Sequence, residues 1–157
     1  MKKLQILVGA FILFAACFHT WKSAEADPDP EAVSQFLDGA EFFEAGKYEE
    51  ARRCFLKAVQ IDPAYVDAVH YLGATYHQFD DCKSAMPHYL KALELNPNYI
   101  PSLYGASNCG FQMGQKSKAE AWARHGYKLA PNHNRLAFMV ARFEGEAGRY
   151  DEEVKLY

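Results

Sequence analysis

Two histidines and three cysteines are the side chains best suited to chemistry, and their spacing decides which reactions are open. His70 and His77 are seven residues apart. On one helix that is about 10 Å along the axis, too far for both to hold one ion. No carboxylate or thiol stands at ligand spacing beside either, so stacking or hydrogen bonding is expected of them and no metal. Cys54, Cys82 and Cys109 form no C-x-x-C pair, which argues against a thiol redox enzyme. No nucleophile occurs with a base and an orienting group, and no glycine-rich loop is available for phosphate. The sequence therefore predicts no enzyme and no cofactor.

The elements that position these residues follow from a period of 34. Gly39 recurs as Gly73, Phe42 as Tyr76 and Phe55 as Tyr89. Ala51, Ala85 and Ala119 fall in one column, Ala58, Ala92 and Gly126 in another, and Pro63, Pro97 and Pro131 close successive units. Within a unit, Val69, Leu72, Gly73 and Tyr76 mark one face of a helix, and Ala85, Tyr89 and Ala92 mark a face of a second. Phe79-Asp80-Asp81 separates them and supplies acid to a helix start. Asn96 before Pro97 is pushed away from helical angles, which ends the second helix. Each unit is thus a helical hairpin whose apolar flanks are covered only by stacking.

This pattern resembles the tetratricopeptide repeat (TPR). The resemblance implies an all-α fold, a right-handed α-solenoid of three full repeats at 32–65, 66–99 and 100–133 with a partial fourth at 134–157. Pro87 inside the second helix of its repeat predicts a local bend. Asp38 replaces the column's Leu72, as suits a cap facing water. In the third repeat Ala106, Gly110 and Ala123 are small, and Trp122 and Phe111 are placed to fill the gap.

In the family, the first helices of successive repeats line a concave groove for a peptide or protein segment. The resemblance places Phe36, Ala40 and Phe43 there from the first repeat, and His70, Ala74, His77 and Gln78 from the second. The third supplies Tyr104, Asn108, Phe111 and Gln112, the fourth Phe138 and Arg142. Phe36, His70, Tyr104 and Phe138 recur every 34 residues, as do Phe43, His77 and Phe111. These two ladders are expected to grip an apolar or aromatic segment, the alternative being that the rings fill space between helices. Some family members clamp chaperone carboxyl termini with lysines and asparagines; here Phe36, Ala40 and Tyr71 stand in those places, which argues against that activity.

Residues 1–26 read as an export signal: Lys2 and Lys3, an apolar run from Ile6 to Phe18 broken only by Gly9, then Ala24-Glu25-Ala26 as a cleavage pattern. Cleavage after Ala26 and a periplasmic or secreted location are expected. Two alternatives keep a membrane anchor, one an uncleaved helix, the other acylation of Cys17 after Phe14-Ala15-Ala16. Residues 27–31 are a stiff acidic spacer. Of the chain's net charge of −3, the leader carries Lys2, Lys3 and Lys22 against Glu25, leaving 14 bases and 19 acids. That balance excludes a nucleic-acid footprint. Three lone, packed thiols are the expected state, with a Cys82–Cys109 disulfide as the exported alternative. The expected role is a non-catalytic interaction module in envelope assembly or secretion. The competing role is homo-oligomer formation through the incomplete last repeat, where Phe143, Val154, Leu156 and Tyr157 have no following helix to meet.

Overall fold

The computed structural model describes residues 27–146, all of whose regular structure is helical. The expected export signal, Cys17 and the end from residue 147 onward lie outside the described residues. Seven helices follow one another: α1 Pro30–Glu44, α2 Tyr48–Ile61, α3 Val66–Gln78, α4 Cys82–Leu95, α5 Ile100–Gln112, α6 Lys116–Leu129 and α7 Asn134–Glu146. No described helix is long and apolar enough to cross a membrane.

Two kinds of turn alternate, each written into a column of the repeat. Between the helices of a hairpin, Gly46, Asp80 and Gly114 stand 34 residues apart and all take a left-handed φ, +72°, +57° and +73°. That conformation lets the following N–H reach back to the last turn: Lys47 donates to Phe42, Asp81 to Tyr76 and Gln115 to Gly110. Asp80 adopts it without being glycine, at a cost of about 1 kcal/mol. Between hairpins, Asp62 and Asn96 accept from the amides of Ala64 and Asn98 across the Pro63 and Pro97 turns. Asp29 caps α1 through the amides of Glu31 and Ala32, and Asp81 caps α4 through that of Ser84. The α4 helix continues through Pro87, which faces solvent.

Every even-numbered helix packs between its own partner and the first helix of the next hairpin. In addition α3 touches α5 and α5 touches α7. The odd-numbered helices therefore share one face of an α-solenoid, with α2, α4 and α6 behind them.

Where the second repeat meets the third, a ring fills a gap. A Cβ on Gly105 would sit 2.6 Å from the Tyr89 ring, and one on Gly73 would sit 3.1 Å from it, so Tyr89 fills the space both glycines leave. One repeat on, the same two columns hold Ala123 and Met139, the large and small partners exchanged, and both are buried in one cluster. One repeat earlier they hold Phe55 and Tyr71, rings 5.3 Å apart. Within the hairpins a second pair of columns behaves likewise. Tyr76 stacks on His88 at 5.5 Å, whereas Gly110 lies under Trp122. Where Gly73 approaches the Ala85 carbonyl, Ser107 instead donates its hydroxyl to Ala119 at 2.8 Å.

The fourth repeat corrects one expectation. Phe143 is 4% exposed, packed on Phe111 beside Ala119 and Ala123, so it needs no following helix. Glu144, in the aromatic column, is equally buried and ion-paired with Arg124 of α6. At the other end Leu37 is 56% exposed and Asp38 faces water, as no described repeat packs in front of α1.

The size exchange gives a direct test. Gly105→Met should destabilise by about 1–3 kcal/mol through overpacking, and Tyr89→Ala by about 3–5 through a cavity. The double variant copies the Ala123–Met139 pair and should recover 1 kcal/mol or more, roughly, relative to additivity. Urea unfolding of the four proteins measures this, and strict additivity would contradict the matched-column account.

Candidate binding groove

The shared face of α3, α5 and α7 carries two adjoining hollows. The first, about 370 Å³, is lined by Phe43, His70, Ala74, His77, Gln78 and Tyr104 of the groove set. The second, about 360 Å³, holds Asn108, Phe138 and Arg142 and shares Tyr104 and Arg135 with the first. Four of the sequence-assigned residues line neither hollow. Phe36 is wedged among Phe55, Tyr65 and Tyr71, with centroids 5.2–5.6 Å away. Ala40 is half-buried. Phe111 lies on Phe143 under the Arg142 guanidinium, 3.7 Å from its centroid, and Gln112 donates to Asn108. Each ladder thus divides, some rungs serving the core and others the hollows.

Residues outside the assigned set complete the walls: Tyr71, Tyr89, Pro101, Gly105, His133 and Arg135 in the first hollow, Asn134 and Met139 in the second. A signal for two of them existed, since Asp67, Pro101 and Arg135 form one column in the first turn of successive odd helices. Tyr89 could not be found that way, because it comes from the back layer and reaches the face only through the gap at Gly105.

The electrostatics are one-sided. Among the described residues no carboxylate lines either hollow, while Arg135 lies 5.7 Å from the Tyr104 centroid and Arg142 covers Phe111. Asp67, the acid of the Arg135 column, is turned to the Tyr99 hydroxyl, which burial and that hydrogen bond push well above its usual pKa. Such ring-backed guanidiniums present a fixed positive edge. His70 and His77 are built into the wall. His70 bonds through Nδ1 to Ser102 Oγ at 2.9 Å, tying α3 to α5, and burial lowers its pKa to about 4. His77 contacts the Tyr89 hydroxyl at 3.3 Å, and burial lowers its pKa too, against the opposing pull of Asp80.

Beneath the wall the thiols depart from the expected lone state. Cys82 of α4 and Cys109 of α5 form a disulfide, with Cα atoms 5.0 Å apart, and it staples the second repeat to the third. Cys54 is free. The pair lies beside His77, so thiols do stand next to a histidine, which linear spacing concealed.

Comparison with protein families matches residues 39–79 to a profile described as TPR repeat and residues 67–99 to one described as Tetratricopeptide repeat. The chain is a TPR protein. Comparison with curated proteins finds no match. Among solved structures, the first TPR of Spaghetti (RPAP3), bound to the HSP90 peptide SRMEEVD, is similar with a TM-score of 0.73 at 20% identity, over 78% of this chain and 97% of that one. MamA gives 0.69 at 21% identity, over 76% and 71%. The Arabidopsis OM64 TPR domain gives 0.71 at 13% identity, over 74% and 96%. At these identities the likeness establishes the TPR fold.

The buried His70 makes a pH prediction. Its folded pKa lies below the ordinary 6.5, so the unfolded chain takes up the proton first and acid favours unfolding. Stability should be full above pH 6.5 and fall between 6.5 and 4, by up to about 3 kcal/mol from this residue. His77 and His88, also lowered by burial, add to the slope. Denaturant midpoints for His70→Asn across that range should show a shallower fall than wild type; parallel curves would refute the assignment.

Proposed function

We propose that this TPR chain is a protein-interaction module whose α3–α5–α7 groove takes an extended, acidic segment bearing an aromatic or apolar side chain. One observation carries the reading: among the described residues, two joined hollows are walled by rings, amides and the Arg135 guanidinium they share, and by no carboxylate, in a chain that is acidic as a whole. The apolar side chain would enter beside Tyr71 and Tyr104, and acidic groups would meet Arg135, which both hollows share. Asn108 and Gln78 are placed to pair backbone groups of a strand-like ligand. The TPR of Spaghetti solved with SRMEEVD supports a peptide ligand in this fold, although the position of Phe36, Ala40 and Tyr71 argues for a different grip. Neither reaction chemistry nor a cofactor enters this role.

Pull-down of a partner, followed by a peptide array over its sequence, supplies the ligand for anisotropy titrations. Tyr104→Ala and Arg135→Gln should each weaken binding about tenfold or more, with unchanged helix content. Affinity should fall as salt rises, and replacing the peptide's acids by amides should mimic Arg135→Gln. Wild-type affinity in both variants, or equal binding of the amide peptide, would sink the proposal. Sedimentation of the same variants separates loss of a peptide from loss of self-association.

The cellular setting we propose is the envelope of an exporting cell, in assembly or secretion. It rests on the Lys2-Lys3 start, the apolar run and Ala24-Glu25-Ala26. After expression in an exporting bacterium, intact mass should correspond to a chain beginning at Asp27. A mass retaining Met1, or one beginning at an acylated Cys17, would replace free export with anchoring.

A further inference from the structure

The contact among His77, Cys82 and Cys109 goes beyond the groove reading. One ligand atom from each lies within 4.8 Å of the other two, although the residues come from three different helix segments. Cys82 and Cys109 are 5% and 0% exposed. The Tyr89 hydroxyl steadies the imidazole, the kind of outer contact that orients a ligating histidine. Gln112 Oε1 stands 3.4 Å from Cys82 Sγ. His77 also lines the first hollow, which gives a route from solvent.

We propose that, once the disulfide is reduced, His77, Cys82 and Cys109 form a site for one thiophilic d10 cation, Zn²⁺ being the ion that fits. A tetrahedral zinc site, with bonds of about 2.3 Å to sulfur and 2.0–2.1 Å to nitrogen, spaces its donors by about 3.5–3.8 Å. The cluster holds its donors within 4.8 Å of one another, within about 1 Å of that spacing, so binding requires the bonded sulfurs to part and the imidazole to close on them while the helices keep their places. Gln112 Oε1 or a water fills the fourth position. Two sulfurs and one imidazole suit a soft ion better than Mg²⁺ or Ca²⁺.

The chemistry balances in two steps. A dithiol or phosphine reductant supplies two electrons to the Cys82–Cys109 bond, two protons are taken up, and the reductant becomes a disulfide or a phosphine oxide, whose oxygen comes from water. Zn²⁺ then replaces the two thiol protons, which are released to solvent. Oxidation and metal loading draw on the same sulfur atoms and exclude each other. In either state α4 stays tied to α5, but only the metal also ties down His77 on the groove wall.

The test uses the full chain in mild detergent with Cys17→Ser and Cys54→Ser, leaving Cys82 and Cys109 as its thiols. After anaerobic reduction by a phosphine and its removal, Co²⁺ serves as the spectroscopic probe. The reduced chain should bind one equivalent, with thiolate-to-cobalt charge transfer and the visible bands of a tetrahedral ion, and Zn²⁺ should bleach both. The oxidised chain should bind none. His77→Gln should weaken binding tenfold or more and shift the visible bands while the helix signal stays intact. Bound Zn²⁺ should also slow reoxidation of the dithiol, read by mass after alkylation, which needs no folded cysteine variant. No uptake by the reduced chain, equal uptake by the oxidised chain, or indifference to His77→Gln would each overturn the site. Peptide binding by the oxidised chain is measured separately, so failure here leaves the groove reading standing.

Discussion

The Tyr89 ring against Gly73 and Gly105 is the contact on which the rest of the molecule depends. It comes from the back layer, crosses between two hairpins and ends in the wall of the first hollow. On the way it lies 5.4 Å from the His70 centroid, carries its hydroxyl to His77 and joins the cluster that includes Cys82 and Cys109. A solenoid repeat is stable only if its neighbour covers its open flank. Here the covering ring is also the floor of the candidate site. Packing that sets the angle between the second and third repeats therefore sets the width of the groove as well.

This explains how irregular columns yield a regular stack. A strict repeat would place one ring and one gap at every interface, yet the ring–gap order is reversed between Tyr89–Gly105 and Ala123–Met139. Cores tolerate such exchanges when the volume across a contact is conserved. The price is that neighbouring repeats are not interchangeable: α5 offers a gap where α7 offers a side chain. Groove shape is then local to each interface, which is why the two hollows differ although the fold repeats.

The fold was open to the sequence because turns are local. Gly46, Pro63, Pro97 and Pro131 fix where helices stop through backbone angles, and neighbours do not alter that. The Tyr48–Ile61 helix could be read on those grounds alone. The facing of a side chain is a different matter. Phe36 and Tyr104 share a column, but Phe36 meets Tyr65 and Tyr71, whereas Tyr104 meets His133 and Arg135. Their fates depend on the residue offered by the next hairpin, which a single column does not show. The Cys82–Cys109 pair could be named from the stacking of the hairpins, but with the two 27 residues apart the sequence did not decide between a bond and two lone thiols.

Charge follows the same division between local and stacked. Ion pairs such as Arg52–Glu49 and Lys91–Glu94 lie on the even-numbered helices, exposed and one turn apart, where each is worth little. On the odd-numbered face, Asp67 is withdrawn toward Tyr99, and the guanidiniums of Arg135 and Arg142 lie over rings. A cation over a ring keeps its charge while losing part of its water, so it meets an incoming carboxylate with less to give up than a fully hydrated lysine. Stacking thus does more than close the core. By removing the acid of the second repeat from the wall and backing the bases of the fourth with aromatics, it gives the groove of an acidic chain the opposite sign.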